Sequence, residues 1–97
     1  IMFGSKKKIV ITEEEQRIVL YALNDFRTEL LNEGRYVDVI DEAISKVRTK
    51  MKVDRYVLGA IINALIKKRK RITLENNDTS TIDDLILKLV KIHETLK

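Results

Sequence analysis

The sequence predicts an all-α fold: two tandem helical hairpins, four helices in all, forming one bundle-like domain across residues 1–97. Three observations predict it. The chain has no proline and only three glycines, so long helices meet few breakers. Apolar residues recur at three- and four-residue spacing in four separate segments. The chain also resembles itself after a shift of 42 residues, the mark of an internal repeat.

The elements follow in order. Residues 1–11 read as an N-terminal arm, and Lys6-Lys7-Lys8-Ile9-Val10-Ile11 has the character of an extended segment or one short strand. The opening Ile1 suggests that residues 1–5 are not all native, although Met2 could be a genuine start, and they enter no functional argument. The first hairpin occupies 12–51. Thr12-Glu13-Glu14-Glu15 is a capping box with three carboxylates at the positive end of the helix dipole. Val19, Leu23, Phe26 and Leu30 then mark one helical face, flanked by Ile18, Ala22 and Leu31, and Gly34 suits the left-handed residue that ends the helix. The second helix is expected to cap at Asp38 and to bury Ile40, Ala43, Ile44, Val47 and Met51.

The second hairpin occupies 53–96. Its first helix is expected to cap at Asp54 and run through Arg71 or slightly beyond. After the polar turn Glu75-Asn76-Asn77-Asp78-Thr79, the last helix is expected to cap at Ser80, with a stripe of Ile82, Leu85, Ile86, Leu89, His93 and Leu96 beside Val90 and Ile92. With the 42-residue shift, eight of the 39 pairs from 12/54 to 50/92 are identical: Ala22/Ala64, Leu23/Leu65, Arg27/Arg69, Glu33/Glu75, Ile40/Ile82, Asp41/Asp83, Ile44/Ile86 and Lys46/Lys88. The expected caps and turns align as well, Thr12 with Asp54 and Gly34 with Asn76.

The third helix departs from its twin. From Tyr56 to Ile66 it is apolar nearly all round, and a helix apolar on every face is covered on every face. Either it is the central element of the bundle, or its outer side meets another chain. The candidate self-association face is Val57, Leu58, Gly59, Ile61, Ile62, Asn63 and Ile66, which would make the protein a homodimer or higher homo-oligomer. Mid-helix Gly59 suggests a close helix approach, because glycine there costs about 1 kcal/mol against alanine.

Several function classes are disfavoured. There is no cysteine, hence no disulfide, thiolate nucleophile or thiolate metal site. The one histidine, His93, lacks a neighbouring nucleophile or orienting group in sequence and any second histidine for a metal. The carboxylates are accounted for as caps (Glu13, Glu14, Glu15), box residues (Asp41, Asp83) and an outer helix edge (Glu29, Glu33). No glycine-rich phosphate cradle or nucleophile elbow occurs. No enzyme activity, catalytic residue, metal or cofactor is therefore expected. No apolar run approaches the ~20 residues of a membrane span, and residues 1–5 lack a signal peptide's apolar core, so the expected setting is the cytoplasm, away from membranes.

Charge is the remaining signal. Of the net +4, residues 1–50 contribute nothing, with nine basic and nine acidic side chains. Residues 51–97 carry ten basic against six acidic, owing to Lys67-Lys68-Arg69-Lys70-Arg71. These five, with Arg27, are the candidate anion- or nucleic-acid-binding residues, and Lys6, Lys7 and Lys8 a second contact. Five consecutive residues wrap fully round a helix, however, and basic residues also complement a helix's negative end. Arg27 and Arg69, at equivalent places, could converge on one anion, or each could pair with a carboxylate such as Asp25, Glu29 or Glu75. The aromatics (Tyr21, Phe26, Tyr36 and Tyr56) read mostly as core residues.

The stretch from Ile18 to Glu42 resembles small helical-hairpin proteins of phages and prophages of low-GC Gram-positive bacteria. It shares their Ala-Leu-Asn-x-x-Arg core at Ala22, Leu23, Asn24 and Arg27, their turn at Gly34-Arg35, and an acidic helix start at Asp38, Asp41 and Glu42. The resemblance implies a phage or mobile-element setting, in which small proteins often bind host factors. The expected function is thus a small non-enzymatic binding or regulatory protein that occupies a host protein or sequesters a small anionic ligand. The alternative is a nucleic-acid or nucleotide binder using residues 67–71.

Overall fold

The computed structural model describes residues 4–96; residues 1–3 of the arm lie outside the described residues. Four helices follow one another: α1 (Glu13–Asn32), α2 (Asp38–Thr49), α3 (Arg55–Leu74) and α4 (Ser80–Glu94). They form an all-α four-helix bundle, and no described helix is long and apolar enough to cross a membrane.

The repeat is visible in the backbone. α3 begins and ends 42 residues after α1, and α4 begins 42 residues after α2. The Glu15 amide donates to Thr12 Oγ1 at 3.1 Å and the Thr12 amide to Glu15 Oε1 at 2.9 Å, closing both halves of the capping box. At the equivalent place the Val57 amide donates to Asp54 Oδ1 at 2.9 Å; valine there has no side-chain acceptor to return the bond. Gly34 ends α1 at φ +70° and Asn76 ends α3 at φ +59°. The amides just beyond, Arg35 and Asn77, reach back to the carbonyls of Leu30 and Ile72 at 2.9 and 3.1 Å. Glycine and asparagine are the residues that best tolerate this left-handed ending.

The starts of α2 and α4 differ from expectation. Val37 and Thr79 occupy the cap positions, and neither makes a side-chain cap bond; Asp38 and Ser80 are already helical. Before α4, Asp78 Oδ1 accepts from the Ser80 amide at 3.0 Å and from Ser80 Oγ at 2.6 Å. With the caps one residue earlier than expected, Asp41 and Asp83 fall one place past the box position, and each is engaged by an arginine instead. Arg27 Nε donates to Asp41 Oδ1 at 2.6 Å, and Arg69 Nε makes the same bond to Asp83. Asp83 also accepts from Thr79 Oγ1 at 2.9 Å.

α3 is the centre of the bundle, packing against α1, α2 and α4. Val57, Leu58, Ala60, Ile61, Ile62, Ala64 and Leu65 are all buried. Repeat-related positions are buried alike in this core: Val19 and Ile61, Ala22 and Ala64, and Leu23 and Leu65 are 0–1% exposed. α2 contributes Ile40, Ala43, Ile44 and Val47, and α4 contributes Ile82, Leu85 and Leu89. Met51, expected in this set, lies beyond the end of α2 and is exposed. Among its described residues the arm forms no strand, only one antiparallel bridge: Lys7 and Val53 exchange backbone bonds of 2.9 and 2.8 Å. Ile9 and Ile11 pack half-buried against the core.

Candidate binding groove

The burial of α3 removes most of the expected self-association face. Val57, Leu58, Ile61 and Ile62 are covered by the chain's own helices, Asn63 and Ile66 are exposed, and Gly59 is half-buried. The all-round apolar character of this helix is satisfied by three intrachain neighbours.

The basic run is likewise engaged from within. Lys67 pairs with Glu29 at 3.0 Å, Lys68 with Asp25 at 3.4 Å and Arg71 with the same Asp25 at 3.1 Å. Arg69 pairs with Asp83. Among the described residues only Lys70 of the five has no carboxylate partner. Arg27 and Arg69 each hold an aspartate of their own hairpin, not Asp25, Glu29 or Glu75, and do not share an anion. The repeat explains the run. Asp25 and Glu29 of α1 are equivalent to Lys67 and Arg71 of α3, and the later halves of the two helices lie against each other. The two copies carry opposite charges where they meet, so the charge excess of the second is the complement of an acidic edge on the first.

An open surface lies beside the C-terminal end of α1 and the first half of α3. All four helices and the turn after α1 contribute to it. The left-handed Gly34 turns the chain after α1 so that Arg35 and Tyr36 project beside the start of α2. Asp54 fixes the start of α3, and Tyr56, Gly59 and Asn63 follow at spacings of three and four, along one helical face. His93 comes from the last turn of α4. Together they line an open groove of about 420 Å³ whose apolar lining includes Phe26, Leu30, Ile40 and Ala60.

The aromatics, expected mostly in the core, lie mostly at the surface. Tyr36 is 92% exposed and Tyr56 71%; Tyr21 is exposed as well, and only Phe26 among these aromatics is half-buried. The Arg55 guanidinium lies 5.4 Å from the centre of the Tyr56 ring, a cation–π distance. Arg35 pairs at 3.6 Å with exposed Glu33. No carboxylate lines the groove, so its polar groups are phenols, guanidinium ions, an amide and an imidazole.

Gly59 forms part of this lining. A Cβ there would lie 3.7 Å from His93 Nε2, ordinary van der Waals contact, and its backbone is not left-handed. The expected close helix approach is therefore not what calls for glycine. Mid-helix glycine is retained where alanine would pack and would favour the helix, and what it leaves open is the groove between Tyr56 and Asn63. The Tyr56-Gly59-Asn63 spacing was visible in the sequence; Tyr36 and His93 come from elements far away in the chain.

Among the described residues no cluster of three or more His, Asp or Glu side chains could hold a metal ion. No family model, curated protein or solved structure matches this chain.

Proposed function

We propose that the protein is a non-enzymatic α-helical binding protein that receives a segment of another protein in the groove between Tyr36 and Tyr56. The observation that carries this reading is Gly59, a helix-weakening residue kept where packing does not require it, beneath two exposed tyrosines. Tyrosine and arginine are the side chains that dominate protein–protein hot spots, because each joins a large contact area to a polar tip. Local sequence choices that oppose stability without a packing reason concentrate at functional sites. The resemblance of residues 18–42 to phage and prophage proteins makes a host factor the natural partner.

The test is selection of binders from a random peptide display library against the immobilised chain. Selected peptides should lose affinity ten-fold or more against Tyr36→Ala and Tyr56→Ala, two exposed positions whose truncation leaves the core intact. Gly59→Leu, which fills the groove, should do the same. Peptides that bind all three variants undiminished would refute the groove. Light scattering at micromolar concentration, with and without Tyr56→Ala, reveals whether a second copy of the chain occupies it.

A further inference from the structure

A second concavity lies at the other end of α2, between that helix and the N-terminal arm, and shares no lining residue with the tyrosine groove. It is a cleft of about 300 Å³ with Ile9, Ile11 and Val47 among its apolar lining and exposed Met51 at its edge. Lys8, Lys46 and Lys50 also line it, and Lys6 and Lys52 continue the same surface outward. Glu13 is the one carboxylate in the lining, and Lys46 pairs with Glu42 at 3.0 Å. Unlike Lys67, Lys68, Arg69 and Arg71, the other four lysines have no carboxylate partner among the described residues.

Two further features point to a ligand. Lys50 adopts φ +56°, the left-handed conformation that Gly34 and Asn76 supply at the ends of α1 and α3. A lysine strains where those residues do not, and here it lines the cleft. The arm also presents unpaired backbone. Lys7 gives both its groups to Val53, while residues 8–11 make no backbone hydrogen bond among the described residues.

We propose that this cleft binds an acidic peptide segment of a partner protein, with one large apolar side chain seated between the arm and α2. The lysines meet its carboxylates, and the amides and carbonyls of residues 8–11 meet its backbone. A nucleic acid would satisfy the lysines, but its bases bind by stacking on aromatic side chains, and the cleft lining holds none, only aliphatic Ile9, Ile11 and Val47 with Met51. An anionic membrane is flat on this scale and calls for a protruding apolar face instead of a recess.

The experiment is fluorescence anisotropy with a labelled decapeptide of Asp and Glu carrying one central Phe. Its comparisons are the same peptide with Ala at the centre, a ten-nucleotide oligothymidylate and phosphatidylserine vesicles. The Phe peptide should bind at least ten-fold more tightly than all three. The Lys8→Glu/Lys50→Gly double variant should weaken it ten-fold or more while melting no lower than the parent, since glycine relieves the backbone at position 50. Lys70→Glu, a cation outside the cleft, and Tyr56→Ala, in the other groove, should leave binding unchanged. The proposal is overturned if the Phe peptide does not bind, if any comparison binds as tightly, or if Lys70→Glu weakens binding as much as the double variant.

Discussion

Arg27 and Asp41 are joined by an ion pair of 2.6 Å between α1 and α2, and 42 residues later Arg69 and Asp83 repeat it between α3 and α4. The sequence distance between partners is 14 in both hairpins. Each pair ties a helix to the next across a five-residue turn. All four side chains are 40–50% exposed, where solvent screens an ion pair strongly. The pairs therefore fix how each hairpin closes more than how stable it is.

The second pair has a pH signature. The Arg69 guanidinium, then the Thr79 hydroxyl, hold the Asp83 carboxyl below its ordinary value. A depressed carboxylate contributes stability above its unfolded-state pKa, about 3.9, and loses it as pH falls through the lower folded-state value. Asp78, held down by Ser80, and Glu15, held down first by the Thr12 amide, act in the same direction. The melting temperature should thus fall on acidification below about pH 4. Asp83→Asn should be less stable than the parent at neutral pH, with a gap that closes in acid. Thermal melts across the pH range check this, and a gap that stays constant into acid would refute it.

Gly59 separates helix propensity from packing. Its Cβ position is open to ordinary contact with His93, so Gly59→Ala should raise stability by about 1 kcal/mol through helix propensity alone. Chemical denaturation measures the gain. If alanine destabilises instead, His93 is packed more tightly against this turn than a 3.7 Å approach implies.

The fold was legible because its signals are local. Thr12-x-x-Glu15, Asp54 and Gly34 act on backbone groups within a few residues, and the apolar stripes of α1, α2 and α4 report their own buried faces. The repeat then supplied the order of the elements. What failed was non-local. The run 67–71 reads as a free cationic knob until Asp25 and Glu29, some 40 residues earlier, are set against it. Tyr36 and Tyr56 read as core residues because aromatic character does not tell a groove from an interior. The lysine-rimmed cleft joins residues 6–11 to residues 46–52, and no local pattern brings those segments together.

The burial of α3 turns an assembly question into a folding one. Leu58 is 0% exposed and packed in the core, so Leu58→Glu should unfold the chain, because a buried carboxylate without a partner is not tolerated. Leu58→Ala should fold but lose about 2–5 kcal/mol. Circular dichroism with denaturant titration separates these results from dissociation of an oligomer. A Leu58→Glu protein that stays helical and merely becomes smaller by light scattering would place this face outside the core.

Lys50 gives the complementary case at the end of α2. The Met51 amide reaches back to the Lys46 carbonyl at 2.9 Å around a left-handed Lys50, the geometry that glycine completes at Gly34. A non-glycine residue in that conformation carries a penalty of about 1 kcal/mol. Lys50→Gly should therefore stabilise the protein by up to about that amount, whereas Lys50→Ala, which removes the same charge and keeps the strain, should not. The paired comparison isolates backbone conformation from electrostatics, because both variants lose one cation from the same lysine cluster. Equal stability of the two variants would mean that relief of charge repulsion among Lys6, Lys8, Lys46 and Lys52, not backbone strain, governs this position.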